Sequence, residues 1–211
     1  MADDFTAELV PLMITPAEGP RLEAELLLPP LPRAAIVIAH PHPQYGGTML
    51  SHVVHAVFKA APRHGFAALR FNFRGIGLSK GSHDGGAGEC TDYLAAATEL
   101  TKQVPGVPLV LGGYSFGSEV ALASDHEASV AWFCVAPVLR MFPAYAAAAS
   151  DKPKFLTCAE HDSYAPSDVV TKATASWPHT TVAPIAMADH FFMTGTGALA
   201  DAFEAFAATI A

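Results

Sequence analysis

Residues 108–122 read PLVLGGYSFGSEVAL, and they indicate the fold more directly than any other part of the sequence. It opens with the apolar run Pro108–Gly112, which is typical of a strand buried on both faces of a sheet. The sequence Gly-Tyr-Ser-Phe-Gly follows at 113–117, and a segment of helical character begins directly after it. This G-x-S-x-G pattern predicts a strained turn that projects the Ser115 hydroxyl, with small residues on either side so that strand and helix can pass closely.

The pattern alone is weak, because Gly-Leu-Ser-Lys-Gly at 77–81 is a second example of it. Ser79 lacks the surrounding strand and helix, since Asn72–Gly75 before it resembles a loop. Ser82–Gly86 after it cannot begin a helix. We therefore predict that Ser115 is the functional serine.

Other short apolar runs along the chain alternate with segments of helical spacing. The predicted strands are Ala35–Ala39, Ala67–Phe71, Val130–Val135, Phe155–Cys158 and Thr181–Ile185, with Leu22–Leu28 and Phe5–Ile14 as antiparallel edge strands. The first predicted helix has Thr48 as its N-cap and Met49, Val53 and Val57 on one face. Further helices are predicted to start at Glu89 and to cover Val120–Ser124 and Ser167–Trp177. The last predicted helix, at the C-terminus, has an apolar stripe of Leu199, Phe203, Phe206 and Ile210. This alternation predicts an α/β fold with a mostly parallel central sheet of about seven or eight strands and helices on both faces, as a single domain over residues 1–211.

Composition excludes several classes of protein. The 211 residues hold 12 Lys and Arg against 20 Asp and Glu, so the net charge of −8 argues against binding to nucleic acid. Only 15% of residues are charged and 51% are hydrophobic, which argues against a disordered chain. No apolar stretch approaches membrane-spanning length, the start Met1–Phe5 is acidic, and three cysteines without a C-x-x-C pair indicate reduced thiols. We expect a cytoplasmic monomer or homodimer without a membrane span.

A nucleophilic serine needs a base, and the base needs a carboxylate that orients it. Asp162 follows the predicted strand Phe155–Cys158, and His190 follows the predicted strand Thr181–Ile185. Because ligand sites of open α/β sheets lie beyond the carboxyl ends of the strands, both residues are expected on the side of Ser115. The order serine, acid, histidine is that expected of α/β-hydrolases. Glu160, two residues before Asp162, is an alternative acid.

Other acids and histidines fit less well. Asp189 adjoins His190 and is expected to point elsewhere, His179 lies at the wrong end of a strand, and no spacing suggests an acid for His161. Four histidines, His40, His42, His52 and His55, are close in sequence, but no Cys, Asp or Glu completes a zinc-like ligand set. We expect no metal and no other cofactor, with His40 as a buried loop anchor.

Acyl transfer also needs N–H donors for the developing oxyanion. The N–H of Phe116 supplies one donor at the turn, and the loop after Ala35–Ala39, which begins HPHPQYGG, is expected to supply the second. The prolines of that loop have no N–H, so His42 and Gln44 are the candidates. We prefer His42 over Gln44.

These residues together resemble the α/β-hydrolase superfamily, and more closely the small hydrolases related to dienelactone hydrolases. The resemblance rests on HPHPQYGGTM at 40–49, RFNFRGIGLSKG at 70–81, GYSFG at 113–117, AEHDSYAP at 159–166 and ADHFF at 188–192. It implies Ser115 as nucleophile, Asp162 as acid, His190 as base and an oxyanion hole from Phe116 and the His42 loop. It also implies a structural loop at Arg74 and Gly75.

Many members of the superfamily carry a helical cap before the acid, but the interval from Pro137 to Lys152 is too short for one. We therefore predict minimal or no cap, with Val138–Ala149 as a small apolar wall and Arg140 as a candidate contact for an anionic group. The predicted function is a serine carboxylesterase for small to medium acyl esters, which works through an acyl-enzyme at an open site. A thioesterase, an amidase or peptidase, a lyase or isomerase with the same residues, and a catalytically silent binding protein are the alternatives.

Overall fold

The computed structural model describes residues 7–210 and consists of one eight-stranded sheet with helices on both faces. The strands are β1 (Glu8–Ile14), β2 (Leu22–Leu28), β3 (Ala34–Ala39), β4 (Phe66–Phe71), β5 (Leu109–Tyr114), β6 (Ser129–Val135), β7 (Lys154–Ala159) and β8 (Thr180–Ile185). The helices are α1 (His52–Ala60), α2 (Ala87–Gln103), α3 (Phe116–Ala123), α4 (Ala146–Ala149), α5 (Ser167–Ala173) and α6 (Thr196–Ala207). No helix within residues 7–210 is long and apolar enough to cross a bilayer.

The sheet has the order β1-β2-β4-β3-β5-β6-β7-β8. Strand β1 pairs antiparallel with β2, and β2 pairs antiparallel with β4, whereas all other neighbours are parallel. The predicted fold class and the six strands β3 to β8 are therefore confirmed, each to within about two residues at either end, the usual uncertainty of element boundaries. Leu22–Leu28 is an antiparallel strand as predicted, but it is not at the edge, because β1 covers its outer side. Of the predicted edge strand Phe5–Ile14, the first two residues lie outside the described residues. The single domain over residues 1–211 stays a prediction.

Two apolar cores lie on opposite faces of the sheet, because successive strand side chains point to opposite sides. Val37 of β3 packs with α2 and α3 on one face, whereas Ile36 and Ile38 pack with α1 and α6 on the other. All six residues of β3, β4 and β5 are buried, which explains their continuous apolar sequence. This double covering fixes the strand ends from which the site loops emerge.

Several predicted helix boundaries are wrong. Helix α3 begins at Phe116, four residues before the predicted Val120, and Ile210 lies beyond the end of α6 at Ala207. Helix α1 begins at His52 with Ser51 before it, and Thr48 instead lies in a turn in which its hydroxyl accepts from the N–H of Leu50. Met49 lies in a turn before the helix, and its N–H donates to Oδ1 of Asn72 at 2.8 Å. The helix predicted over Ser167–Trp177 ends early, at Ala173, and the residues after it form turns that lead to Pro178.

Candidate active site

The turn between β5 and α3 holds Ser115 in a strained backbone conformation, with φ 52° and ψ −115°. A β-carbon on Gly117 would lie 2.6 Å from the carbonyl carbon of Ala39, and one on Gly113 would lie 2.7 Å from the nitrogen of Ser118. Both positions therefore require glycine for the close approach that the sequence pattern predicts. Non-glycine residues in such a conformation persist only where the surrounding structure imposes it, and they cluster at functional sites.

A chain of hydrogen bonds joins the three residues that sequence reasoning selected. Oγ of Ser115 lies 3.1 Å from Nε2 of His190, and Nδ1 of His190 lies 2.7 Å from Oδ2 of Asp162. An ionised carboxylate only accepts, so Nδ1 of His190 carries the proton. The unprotonated Nε2 then faces the Ser115 hydroxyl, and this is the tautomer needed to receive its proton.

The Asp162 carboxylate is buried and has a partner for each oxygen. Its Oδ1 accepts from the N–H groups of Tyr164 and Ala165, both at 2.8 Å, while Oδ2 accepts from His190. Burial alone would raise the pKa of Asp162, but these hydrogen bonds outweigh it and hold the pKa below its ordinary value. The carboxylate is therefore ionised and fixed in orientation.

Two side chains that sequence reasoning missed hold the loop of His190. The hydroxyl of Tyr114, within the G-x-S-x-G turn itself, donates to the backbone carbonyl of His190 at 2.7 Å. Nε2 of His52 donates to the carbonyl of Phe191 at 2.7 Å. Such contacts join residues far apart in the chain, and neither leaves a signal in a single sequence.

The loop after β3 lies against the start of α3. The ring of His42 is 5.0 Å from the ring of Phe116, measured between centroids. The N–H of Gln44 donates to Nδ1 of His42 at 3.2 Å, whereas no hydrogen bond within residues 7–210 uses the N–H of His42 or of Phe116. Burial and the neighbouring His83 lower the pKa of His42, so its ring is neutral.

His40 anchors this loop, as expected for a buried histidine. Its Nδ1 donates to the carbonyl of Pro41 at 2.6 Å, and its Nε2 accepts from the N–H of Phe73 at 3.0 Å. Burial lowers the pKa of His40 to about 4. His52 and His55 contact other residues. Nε2 of His52 contacts the carbonyl of Phe191, and Nδ1 of His55 faces the guanidinium of Arg70. The part of the chain that the structure describes contains no group of three or more potential ligands arranged for a metal ion.

The interval between β6 and β7 is folded down onto α3 and forms no cap domain. Buried Glu119 accepts from the N–H groups of Leu139, Arg140 and Met141 and from the hydroxyl of Tyr145. The only helix in this interval is the four-residue α4, which agrees with the prediction of minimal or no cap. Sequence reasoning gave Glu119 no role, although a carboxylate within an apolar helix start is a visible signal. Arg140 is exposed.

The alternative residues lie apart from the Ser115 hydroxyl or have other partners. Glu160 is exposed and accepts from the N–H of Met187, while His161 is exposed beside it. Oδ1 of Asp189 accepts from the N–H of Met193 at 3.4 Å, and His179 precedes β8 at the far edge of the sheet. Ser79 is buried, with its hydroxyl bonded to backbone groups.

The loop at Arg74 has a structural arrangement. The guanidinium of Arg74 donates to both oxygens of buried Asp92, at 2.8 and 3.0 Å, and to Asp84 at 3.2 Å. Gly75 has a positive φ of 79°, which glycine adopts without strain. These contacts fix the loop after β4 against α2.

Comparison with known proteins places this chain in a family. A family model described as serine aminopeptidase, S33, matches residues 30–178. The chain therefore belongs to the S33 serine aminopeptidase family. This S33 protein is also similar to an α/β serine hydrolase homologue from Coxiella burnetii, at 29% identity and a TM-score of 0.81, over 96% of this chain and 97% of that one.

Two further structures confirm the α/β-hydrolase superfamily for this S33 chain. A putative α/β-hydrolase from Agrobacterium tumefaciens is 27% identical with a TM-score of 0.82, over 93% of this chain and 94% of that one. A serine hydrolase from Xanthomonas campestris, described as lacking a lid, is 26% identical with a TM-score of 0.82, over 96% of each chain. An uncharacterized protein of Rickettsia prowazekii is 39% identical over 105 residues, which is 48% of this chain and 44% of the relative. The chain thus spans less than half the length of that relative.

Proposed function

We propose that this S33 protein is a carboxylic ester hydrolase with Ser115 as nucleophile, His190 as general base and acid, and Asp162 as the residue that orients His190. The observation that carries the proposal is the chain of hydrogen bonds from Oγ of Ser115 through His190 to Asp162, at 3.1 and 2.7 Å. The strained backbone of Ser115 supports the same assignment.

The reaction has two steps. Oγ of Ser115 attacks the acyl carbon while its proton passes to Nε2 of His190, and the N–H groups of Phe116 and His42 stabilise the oxyanion. The carbon–oxygen bond to the alcohol breaks, and Nε2 gives the proton to the departing oxygen. Water then attacks the acyl-enzyme with His190 as base, which releases the acid and restores Ser115.

The second oxyanion donor is assigned to His42 because the N–H of Gln44 already donates to the His42 ring. An N–H group that already donates within the loop is not free to donate to a substrate oxygen. The absence of a cap between β6 and β7 leaves the site open, so we propose small to medium acyl groups as the preferred substrates.

The test is hydrolysis of p-nitrophenyl acetate by the Ser115→Ala variant. We expect kcat/KM to fall by at least about 10³-fold, because removal of the nucleophile leaves only oxyanion and binding contributions. Ser79→Ala is the matched control, since Ser79 lies in the second G-x-S-x-G sequence. It is expected to lower the melting temperature and to keep the activity of the folded enzyme. Equal activity of Ser115→Ala and the parent would refute the proposal.

A peptidase is the second candidate, because the family is described as serine aminopeptidase. The same triad geometry can cleave esters, thioesters and amides, so a measurement must decide which of these is the scissile bond. We expect the highest kcat/KM for the ester in a series in which one acyl group is presented as oxygen ester, thioester and aminoacyl anilide. A higher value for the anilide would favour the peptidase.

A further inference from the structure

Large apolar side chains are exposed in the two loops that carry Asp162 and His190. Tyr164, in the loop after β7, is 52% exposed, and Met187, Phe191 and Met193, in the loop after β8, are 74%, 53% and 78% exposed. Apolar side chains that stay exposed to water do not gain the free energy of burial. Several of them exposed next to each other indicate a binding surface. This surface lies at the carboxyl ends of the strands, where the site is.

Two of these side chains contact the ring of His190. The ring of Tyr164 lies 4.8 Å from it and the ring of Phe191 lies 5.7 Å from it, in an edge-to-face arrangement of 87°. The rings of Tyr164 and Phe191 are themselves 6.1 Å apart. The imidazole is thus flanked by two half-exposed aromatic rings, while its Nε2 faces Ser115.

The backbone at both aromatic residues is fixed by groups of the site. The N–H of Tyr164 donates to Oδ1 of Asp162, the carboxylate that also accepts from His190. The carbonyl of Phe191 accepts from Nε2 of His52. A ligand that contacts these rings therefore meets a surface whose backbone is already ordered, which lowers the entropic cost of binding.

The chemistry of the proposed function decides which part of an ester lies there. Nε2 of His190 gives its proton to the oxygen of the departing alcohol, so that oxygen lies within hydrogen-bond distance of the imidazole. The atoms of the alcohol bonded to that oxygen therefore lie near the His190 ring. Tyr164 and Phe191 are half-exposed aromatic side chains in contact with this ring, whereas Tyr114, which also contacts it, is buried.

The charge of the two loops limits the chemistry of the alcohol. Glu160 and Asp189 lie in them, and neither residues 160–166 nor residues 186–195 contain a Lys or Arg. The side chain of Glu160 is 49% exposed. A negatively charged alcohol group is repelled by these carboxylates and finds no cation to pair with in these loops.

We propose that Tyr164 and Phe191 are specificity-determining residues that bind an uncharged, bulky apolar alcohol group of the ester, such as an aryl group. This inference rests on the proposed function, because it takes His190 as the acid that protonates the alcohol. It assigns the selectivity of the enzyme to the departing group, and the short acyl group is selected separately.

The test compares three acetate esters, those of methanol, 2-naphthol and a carboxylate-bearing phenol, in the parent and in Tyr164→Ser, Phe191→Ser and the double variant. Both residues are half exposed, so the fold tolerates these changes. A contact that buries roughly 60 Å² of apolar surface is worth about tenfold in affinity. We expect the ratio of kcat/KM for 2-naphthyl acetate to kcat/KM for methyl acetate to fall by about tenfold or more in the double variant.

Two controls separate this role from a general loss of structure. Leu31→Ser removes a more exposed apolar side chain, 89% exposed, from the turn before β3, at the amino end of that strand, and is expected to change the hydrolysis of neither ester. Tyr164→Phe keeps the aromatic ring and is expected to keep the parental ratio of kcat/KM between the naphthyl and methyl esters. The deacylation rate constant, followed by the mass of the acetyl-enzyme, is expected to be the same in each variant whether methyl or 2-naphthyl acetate supplied the acetyl group, because the alcohol has already left.

The outcomes distinguish the two proposals. If Ser115→Ala hydrolyses the esters as fast as the parent, the proposed function itself is wrong. If hydrolysis depends on Ser115 but the double variant keeps the parental ratio of naphthyl to methyl ester, the inference about Tyr164 and Phe191 is overturned. A parental preference for the carboxylate-bearing phenol over 2-naphthol overturns it as well.

Discussion

Replacement of Asp162 by Asn tests how the carboxylate controls the proton on His190. Oδ1 of Asp162 accepts from the N–H groups of Tyr164 and Ala165, so the amide oxygen of Asn must occupy this position. The opposite orientation would point the amide NH₂ at two N–H donors and leave both unpaired, at about 1–3 kcal/mol each. The NH₂ group therefore faces Nδ1 of His190 at the position now 2.7 Å away.

This orientation reverses the roles of the two imidazole nitrogens. An NH₂ group donates, so Nδ1 of His190 must accept and the ring proton moves to Nε2. Nε2 then points an N–H at Oγ of Ser115, over the present 3.1 Å, and cannot receive the serine proton. A wrong tautomer of this kind lowers kcat by about 10⁴-fold in a serine protease. We expect kcat/KM for p-nitrophenyl acetate to fall by about 10³- to 10⁴-fold, or roughly 4–5.5 kcal/mol in activation free energy.

The assay is steady-state hydrolysis with circular dichroism to establish that the variant is folded. Glu160→Gln is the matched control, because Glu160 is the neighbouring acid and its carboxylate contacts the backbone of Met187 at the protein surface. It is expected to stay within about threefold of the parent, as for a surface charge in contact with water. The reasoning is refuted if Asp162→Asn keeps activity within tenfold of the parent, or if Glu160→Gln loses as much as Asp162→Asn.

Three further predictions concern the groups that support the site. Glu119→Gln places a donor where the N–H of Leu139 needs an acceptor. It is expected to lower the free energy of unfolding by about 2–4 kcal/mol and to speed amide exchange at Arg140 and Met141. Unchanged exchange at these two amides would contradict this prediction. Burial lowers the pKa of His40 to about 4, so the unfolded chain, at about 6.5, binds the proton first as the pH falls. Stability is then fully present above pH 6.5 and declines by about 3 kcal/mol down to pH 4; urea midpoints of the parent and of a His40→Asn variant, which should lack this slope, measure it. Gly117→Ala is expected to destabilise the protein by at least about 1–3 kcal/mol and to abolish activity, because its β-carbon meets backbone that cannot rotate away; a variant with parental melting temperature would show that the strand and helix can separate.

The strands could be predicted from the sequence because burial on both faces imposes a continuous apolar run. Ala34–Ala39 and Phe66–Phe71 are examples in which every residue is buried. The helix boundaries were less predictable, since they depend on partners distant in the chain. Thr48 has the chemistry of an N-cap, but its hydroxyl accepts from Leu50 in a turn, the N–H of Met49 bonds to distant Asn72, and the helix begins only at His52.

The proposed triad was predictable because its members follow strand ends at one edge of the sheet. The contacts around it were not, because a single sequence shows which residue follows a strand but not which residue of another loop will meet it. Tyr114 lies inside the G-x-S-x-G motif, yet none of the neighbouring residues in the sequence indicates that its hydroxyl reaches the carbonyl of His190. The choice between His42 and Gln44 likewise turns on one bond, from the Gln44 N–H to the His42 ring.

The structure contains a second histidine–carboxylate pair, and it shows why such a pair does not by itself make a catalytic base. Nδ1 of His83 lies 2.8 Å from Oε1 of Glu89, whose side chain is fully buried, much as Nδ1 of His190 lies 2.7 Å from buried Asp162. Glu89 also accepts from the N–H of Gly86 at the start of α2, so this carboxylate serves to fix a loop.

The difference between the two pairs lies in what each imidazole meets. The ring of His83 packs against the rings of His42, at 5.0 Å, and Phe116, at 5.7 Å, between centroids, whereas Nε2 of His190 meets the hydroxyl of Ser115. Only His190 therefore has a nucleophile to activate. The His83 pair instead packs against the two residues whose N–H groups are proposed to hold the oxyanion. The same chemical pairing thus orients the proposed base on one side of the Ser115 turn and packs against the proposed oxyanion donors on the other.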